Sequence, residues 1–270
     1  MKRFLFGVAM TAFLAGPAFG GDAELPKKQD NSQLSLPKES SFHWQKSCNT
    51  EGLTIYWSKV EGSQVIAFRG EGIVDAPLEK VASIIIDTTR GTEWIDSLVS
   101  SRVVRDLSPS EFIEYDHVGI AFPFDTVMQD RDFVSHVRLD FDPGSRRVTV
   151  RYEPAEDSLA PPLKKFTRGT MTCEFKMVPM SLSDETYVEA EIHCDPKGGV
   201  PKWLVNFFQQ GWPQNTFESL RRQAKKPDIQ VLTVVDHLLA KTPVKVAAAP
   251  TKGPGRTVRK YFNPNSQVNY

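Results

Sequence analysis

Alternation of apolar and polar side chains with a period of two runs through the middle of the chain and predicts β-strands. In residues 133–141, for example, Phe133, Val137 and Leu139 take one phase, and Arg138 takes the other. The same pattern predicts further strands at residues 53–57, 64–68, 112–121, 148–152, 171–177 and 188–194. Because turn residues and short connections separate these strands, we expect an antiparallel sheet with one apolar face and one polar face.

Helical spacing of apolar residues predicts the elements that cover the apolar face of this sheet. A short helix is expected from about residue 78, and a longer helix over residues 201–225, opened by Pro201 in its first turn. Pro213 interrupts the longer helix, and the apolar stripe changes its direction there, so we expect a kink or a break at this residue. A further helix is predicted over residues 228–240.

Both ends of the chain differ in composition from this patterned middle. Residues 1–20 have a basic start, an apolar core and small residues at the end, which is typical of a signal peptide; an uncleaved anchor is the alternative. Residues 21–41 read as a linker, and residues 241–270 as a disordered basic tail. We therefore expect an exported protein, periplasmic or extracellular, with one domain over residues 42–240 that is large enough to enclose a cavity.

Charge and motif content narrow the function classes. Without residues 1–20, 31 basic residues face 33 acidic ones, and this near-neutrality argues against nucleic acid as a partner. We find no nucleophile elbow, phosphate-binding loop or metal-spaced His/Cys cluster, so no catalytic residue, metal or cofactor is predicted. Cys173 and Cys194 take the apolar phase of successive strands, where a cross-strand disulfide and two buried free thiols are both compatible with the pattern.

Four segments in the same order resemble START domains, the steroidogenic-acute-regulatory-protein-related lipid transfer family. They are Trp44 with residues 52–56, Trp94, the Arg-Asp-Phe-Val strand within residues 129–135, and residues 198–212, and the resemblance covers roughly residues 43–225. It implies an α+β helix-grip fold, in which a curved antiparallel β-sheet wraps around a long C-terminal helix and leaves an internal hydrophobic tunnel for one lipid.

The resemblance also implies where the ligand contacts the protein. An inward-facing Arg131 is expected to pair with Asp116 on the preceding strand, with Glu114 as the alternative, and to anchor a polar group of the ligand. The expected apolar contacts are Val137, Val150, Phe175 and Ile192 from the strands, and Leu204, Phe207, Phe208 and Gly211 from the helix before Pro213. The turns after Pro213 are expected to pack elsewhere.

We therefore expect a protein that binds and transfers a lipid or similar hydrophobic molecule, without acting as an enzyme. It is expected to be a monomer that contacts membrane surfaces transiently. The first alternative is an enzyme on the same fold, a cyclase or a hydrolase, which a buried His or Tyr dyad in the tunnel would favour. The second is an interaction module whose core is filled by side chains.

Overall fold

The computed structural model describes residues 42–50, 52–120, 125, 128–180 and 184–240. The predicted signal peptide (residues 1–20), linker (21–41) and basic tail (241–270) lie outside the described residues. None of the helices described has the length and apolar character needed to cross a bilayer.

The described part of the chain contains one sheet of ten strands. The strands are β1 (Gln45–Thr50), β2 (Leu53–Ser58), β3 (Ala67–Val74), β4 (Leu98–Ser108), β5 (Glu111–Val118), β6 (Arg131–Asp142), β7 (Arg147–Pro154), β8 (Thr167–Arg168), β9 (Thr170–Pro179) and β10 (Thr186–Asp195). They are ordered β1-β2-β3-β10-β9-β7-β6-β5-β4, and β8 pairs with the start of β6. Every pairing is antiparallel except that of β8, so the predicted antiparallel sheet is confirmed. The edge strands β1 and β4 were not predicted.

The predicted long helix consists of two shorter ones. The helices are α1 (Leu78–Ile86), α2 (Lys202–Gln209), α3 (Trp212–Ala224) and α4 (Thr233–Ala240). The break falls at Gln210 and Gly211, because Pro213 has no N–H to donate to the carbonyl four residues earlier. Both linking residues keep right-handed helical torsions, so α3 follows α2 after an interruption of two residues, and the predicted break is confirmed. The last helix begins five residues later than predicted.

Helix α3 packs directly on the inner face of the sheet. Its Phe217 and Leu220 are fully buried, beside strand β3. A Cβ atom at Gly70 of β3 would lie only 3.0 Å from the Phe217 ring and 3.0 Å from the Pro213 Cβ, so the missing side chain lets the helix come close. The expectation that the turns after Pro213 pack elsewhere is therefore wrong, since these turns form the helix that the sheet grips.

The register of β9 and β10 decides between the two alternatives for the cysteines. Cys173 stands opposite Ile192, and Cys194 opposite Met171, so the two cysteines are diagonal neighbours on the same face. Diagonal positions in an antiparallel pair are about 7–8 Å apart, which exceeds the usual Cα separation of a disulfide. Both thiols are free, so of the two alternatives the structure has the free thiols and not the disulfide.

Candidate functional site

The inner face of the sheet is packed unevenly. Val137 and Val150, two of the predicted ligand contacts, are completely buried in the core beneath the helices. Phe175 and Ile192 are buried as well but keep a small exposed area. Trp212, at the start of α3, is half-buried and places its ring 6.4 Å from that of Phe175. The small exposure left among the predicted strand contacts is therefore that of Phe175 and Ile192.

Two acidic residues of β5 point to this inner face. Glu114 and Asp116 are two positions apart in the strand, and their partners on β6 are Ser135 and Phe133, which also face inward. Ser101 of β4 donates a hydrogen bond from Oγ to Oε1 of Glu114 at 2.8 Å. Glu114 Oε2 and Asp116 Oδ1 are buried and have no hydrogen-bond partner among the described residues. Two carboxyl oxygens thus lie unsatisfied on an otherwise apolar surface.

Burial raises the pKa values of both acids of this pair. Loss of water raises the pKa of Glu114 well above its ordinary value, and the charge of Asp116 and its hydrogen bond raise it further. Burial raises the pKa of Asp116 as well, although hydrogen bonds from Ser101 and Glu114 oppose that change. Because two adjacent buried carboxylates repel each other, ionisation of both at the same time is disfavoured.

Tyr152 of β7 lies close to the acid pair, and the charges of both acids act on its hydroxyl. Burial raises the pKa of its hydroxyl well above the ordinary value, and the charges of Glu114 and Asp116 contribute to this rise. The hydroxyl donates a hydrogen bond to the carbonyl oxygen of Ile85 at the end of α1, at 3.0 Å. Since that bond uses its proton, Tyr152 ties the sheet to α1 and does not donate to the acid pair.

Arg131 does not pair with either acid. Its side chain is buried at the start of β6, where Nε donates to the carbonyl oxygen of Pro196 at 3.2 Å and Nη1 donates to that of Gln129. No carboxylate of the described residues lies within 4.0 Å of its guanidinium group. The predicted ion pair with Asp116, or with Glu114, is therefore wrong. The guanidinium instead turns toward the chain that leaves β10.

Helix α2 covers the sheet only loosely. Of its residues Val205 alone is buried, whereas the side chains of Trp203 and Phe207 are 70% and 55% exposed. Phe208 is also about half exposed, while the other predicted contacts from this region, Leu204 and Gly211, are half-buried. The structure therefore does not bring Phe207 and Phe208 against the inner face.

Polar contacts hold α2 in place. Asn206 accepts a hydrogen bond on Oδ1 from the backbone N–H of Ile66 at 3.0 Å, and its Nδ2 donates to the carbonyl oxygen of Gln64. Gln209 donates to the carbonyl oxygen of Cys194, the last inward-facing residue of β10, at 2.7 Å. A helix held by a few polar bonds and one buried side chain costs less to displace than α3.

The acid pair could have been found in the sequence, but Asp116 and Glu114 were instead assigned as partners of Arg131. Glu114 and Asp116 share the strand phase of Phe112, while Ile113 and Tyr115 take the other phase. Two acids in phase with an aromatic residue on a sheet strand indicate either a polar face or a buried dyad, and only the fold shows that this phase points inward. Within the described ranges, no group of acidic, His and Cys side chains is arranged to hold a metal ion.

Comparison with known proteins gives consistent results. The sequence profile of the START domain matches residues 24–222. An uncharacterized protein of Pseudomonas aeruginosa is 24% identical over 184 residues, which are 68% of this chain and 87% of that protein. The crystal structure of a STAR-related lipid transfer protein from Xanthomonas axonopodis is 26% identical, with a TM-score of 0.60 over 68% of this chain and 99% of that one. Human StAR-related lipid transfer protein 5 has a TM-score of 0.63 at 20% identity, over 69% and 88% of the two chains.

Proposed function

The chain belongs to the START domain family, and we propose that it binds one hydrophobic molecule on the inner face of the sheet and transfers it between membranes. The observation that carries the proposal is the buried acid pair, Glu114 and Asp116, with its two unsatisfied oxygens on an apolar surface. Similar proteins of known structure are named lipid transfer proteins, which supports a ligand of this class.

The acid pair restricts the polar end of the ligand. The unpartnered oxygens, Glu114 Oε2 and Asp116 Oδ1, can accept hydrogen bonds, so the group that completes them is a hydroxyl or an amine. A buried polar group without a partner costs about 1–3 kcal/mol, and a donor from the ligand would remove that cost. A carboxylate or phosphate end would instead add a like charge next to Asp116. We therefore propose a hydrophobic alcohol or amine as the ligand.

The apolar body of the ligand supplies most of the affinity. Each methylene group moved from water to an apolar wall contributes about 0.8 kcal/mol. Phe133, Phe175 and Ile192 are buried, keep a small exposed area and would form this wall. Because α2 adjoins the same region and exposes Trp203 and Phe207, we propose that this helix contacts the membrane surface while the ligand enters as a single molecule.

A matched pair of ligands tests the proposal. The protein, taken as a monomer, is incubated at pH 7 with phosphatidylcholine vesicles that carry hexadecanol or hexadecanoate, and the bound molecule is identified by native mass spectrometry. We expect one bound hexadecanol per chain, with clear preference over hexadecanoate. The double variant Glu114→Gln, Asp116→Asn should lose the preference. Glu111→Gln is the matched control, because Glu111 is on the same strand with a side chain that is 40% exposed.

Two results would contradict the proposed function. If neither molecule is taken up by the unaltered protein, the inner face is a filled core. If the double variant keeps the preference for hexadecanol, the polar end of the ligand does not reach the acid pair. Transfer is a separate measurement, in which loaded protein is mixed with acceptor vesicles and the hexadecanol delivered to them is followed over time.

An enzymatic function is the second candidate, and the same acid pair is the observation that favours it. A buried carboxylic acid whose pKa is raised well above its ordinary value can act as a general acid. Catalysis would appear as a change in the mass of the bound molecule that depends on Glu114. Recovery of unchanged ligand from the unaltered protein and from Glu114→Gln would instead support binding alone.

We further propose that the protein is exported and that residues 1–20 are removed, which would place it in the periplasm or outside the cell. The basic start, apolar core and small terminal residues of this segment support the proposal. The measurement is the intact mass of protein that is expressed in a bacterium with its own leader. A mature chain that begins at residue 21 is expected, and a chain that retains residues 1–20 would contradict it.

A further inference from the structure

The outer face of the sheet carries a recess behind the acid pair. It is a groove of about 430 Å³ between the strands β4 and β5 and the loop of residues 155–166. Its walls are formed by Ser100, Arg102, Tyr115, His117, Leu159, Ala160, Pro161, Leu163, Lys165 and Phe166. Because side chains of a strand alternate, Tyr115 and His117 point outward beside the inward-facing Glu114 and Asp116. The groove and the inner site are therefore separated by the thickness of one sheet.

The loop that forms the outer wall is tied to the sheet. Arg168 bonds to the buried Asp132 at 2.9 Å and donates to the carbonyl oxygen of Ala160 at 3.1 Å. Arg105 of β4 bonds to Asp157 at 2.8 Å. These bonds fix the loop at both of its ends, so the groove exists before any ligand binds. Its volume is within the range of about 300–1,000 Å³ that small-molecule sites occupy.

Two cations of the groove have no acidic partner. The guanidinium of Arg102 lies 5.1 Å from the ring centre of Tyr115, and the ammonium of Lys165 lies 4.6 Å from that of Phe166. In the part of the chain that the structure describes, neither group has a carboxylate within 4.0 Å. The neighbouring Arg105 and Arg168 are both paired with acids. Arg102 also donates from Nη2 to the carbonyl oxygen of Leu159 at 3.3 Å, and the charges of Arg102 and Lys165 thus remain available to an anion.

The loop side of the groove is apolar and aromatic, whereas Ser100 and His117 add polar groups from the strands. Leu159 and Leu163 are 59% and 41% exposed, so both present apolar surface to the groove. Phe166 packs its ring on His117, with 4.3 Å between the ring centres. An apolar body seated here would cover both leucines and the edge of this ring pair.

We propose that the outer groove binds a small amphipathic anion: a carboxylate or a phosphate monoester on a short apolar or aromatic body. The anion lies between Arg102 and Lys165, and the apolar body lies against Leu159, Leu163 and Phe166. The selectivity is opposite to that of the inner site, because the acid pair excludes anions and the groove requires them. The groove is a ligand site independent of the hydrophobic molecule on the inner face.

Site-resolved NMR of the ¹⁵N-labelled full chain tests this assignment, with octanoate and phenyl phosphate as probes. Both probes should shift the amide signals of Ser100, Leu163 and Phe166 in a saturable way. Arg102→Gln and Lys165→Gln should each weaken binding by about tenfold, because each removes one charge-assisted hydrogen bond. Lys59→Gln is the matched control, since Lys59 is exposed and lies beyond β2 near the opposite edge of the sheet.

Three outcomes would overturn the proposal. The first is the absence of saturable shifts in the groove with either probe. The second is unchanged affinity in both charge variants, in spectra whose remaining signals show that each variant is folded. The third is a response of these amides to vesicles with phosphatidylglycerol but not to the dissolved anions, since that result would assign the surface to a membrane. Uncharged 1-octanol distinguishes this site from the inner one. It should not shift the amide signals of the groove, because it carries no anionic group.

Discussion

Truncation of Phe217 tests which helix the sheet grips. This side chain of α3 is fully buried against Gly70 and Gly72 of β3, so Phe217→Ala removes a complete aromatic ring from the core. Such a change costs about 3–5 kcal/mol, from the lost transfer free energy and the cavity that remains. In a domain of this size each kilocalorie lowers Tm by about 2–4 °C, so a decrease of roughly 6–20 °C is expected.

Phe207→Ala is the matched control, because the same ring is removed from the exposed face of α2. The free energy of unfolding should change by about 0.5 kcal/mol or less. Urea unfolding followed by tryptophan fluorescence measures the stability of both variants. The comparison requires that the free energy of unfolding falls with urea concentration at the same slope in both. If Phe207→Ala destabilised the protein as much as Phe217→Ala, α2 and not α3 would be the gripped helix. The assignment of the inner face would then fail.

Three further changes test the acid pair, the helix contact and the thiols. Because the pKa of Glu114 is raised in the folded protein, stability should fall as pH rises from about 4.3 toward the folded value, by up to about 1.4 kcal/mol per unit. Glu114→Gln should reduce this slope in urea unfolding from pH 4 to 8 and leave the part due to Asp116 and Glu191, whose pKa values are also raised. A slope equal to that of the unaltered protein would refute the assignment. Gly70→Ala should cost about 1–3 kcal/mol by overpacking, whereas Gly199→Ala, with no atom within 4 Å, should be neutral. Without reductant, all three cysteine thiols of the unfolded protein should react with a thiol reagent, and a deficit of two would indicate a bond between Cys173 and Cys194.

The strands were predictable because one face of the sheet is apolar and the other is polar. Residues such as Val137 and Val150 keep strict alternation, so local sequence carries their orientation. The edge strand β4 carries no such signal, because its exposed face mixes Val103 with Arg105 and Asp106 and its pairing with β5 is interrupted by irregularities. Edge strands are commonly irregular in this way, and alternation alone does not reveal them.

The candidate site was predictable only in part. The sequence placed Asp116 and Arg131 on neighbouring strands, and the fold confirms those strands, but β-sheet register decides which side chains meet. Asp116 stands opposite Phe133, and Arg131 stands two positions earlier, at the start of β6, where backbone carbonyls accept its hydrogen bonds. Helix α3, and not α2, packs closely on the sheet because Gly70 and Gly72 of β3 have no side chain that would meet Phe217. The sequence alone does not show that a helix lies on these glycines.

The break between α2 and α3 allows the two helices to unfold at different rates. Backbone amides of α3 should exchange with deuterium only through global unfolding, because the helix is part of the core. Amides of α2, which buries only Val205, should exchange through a local opening of much lower free energy. Ligand release would then depend on the lifetime of one short helix. A variant made more resistant to heat through its core would keep the same rate of exchange with membranes.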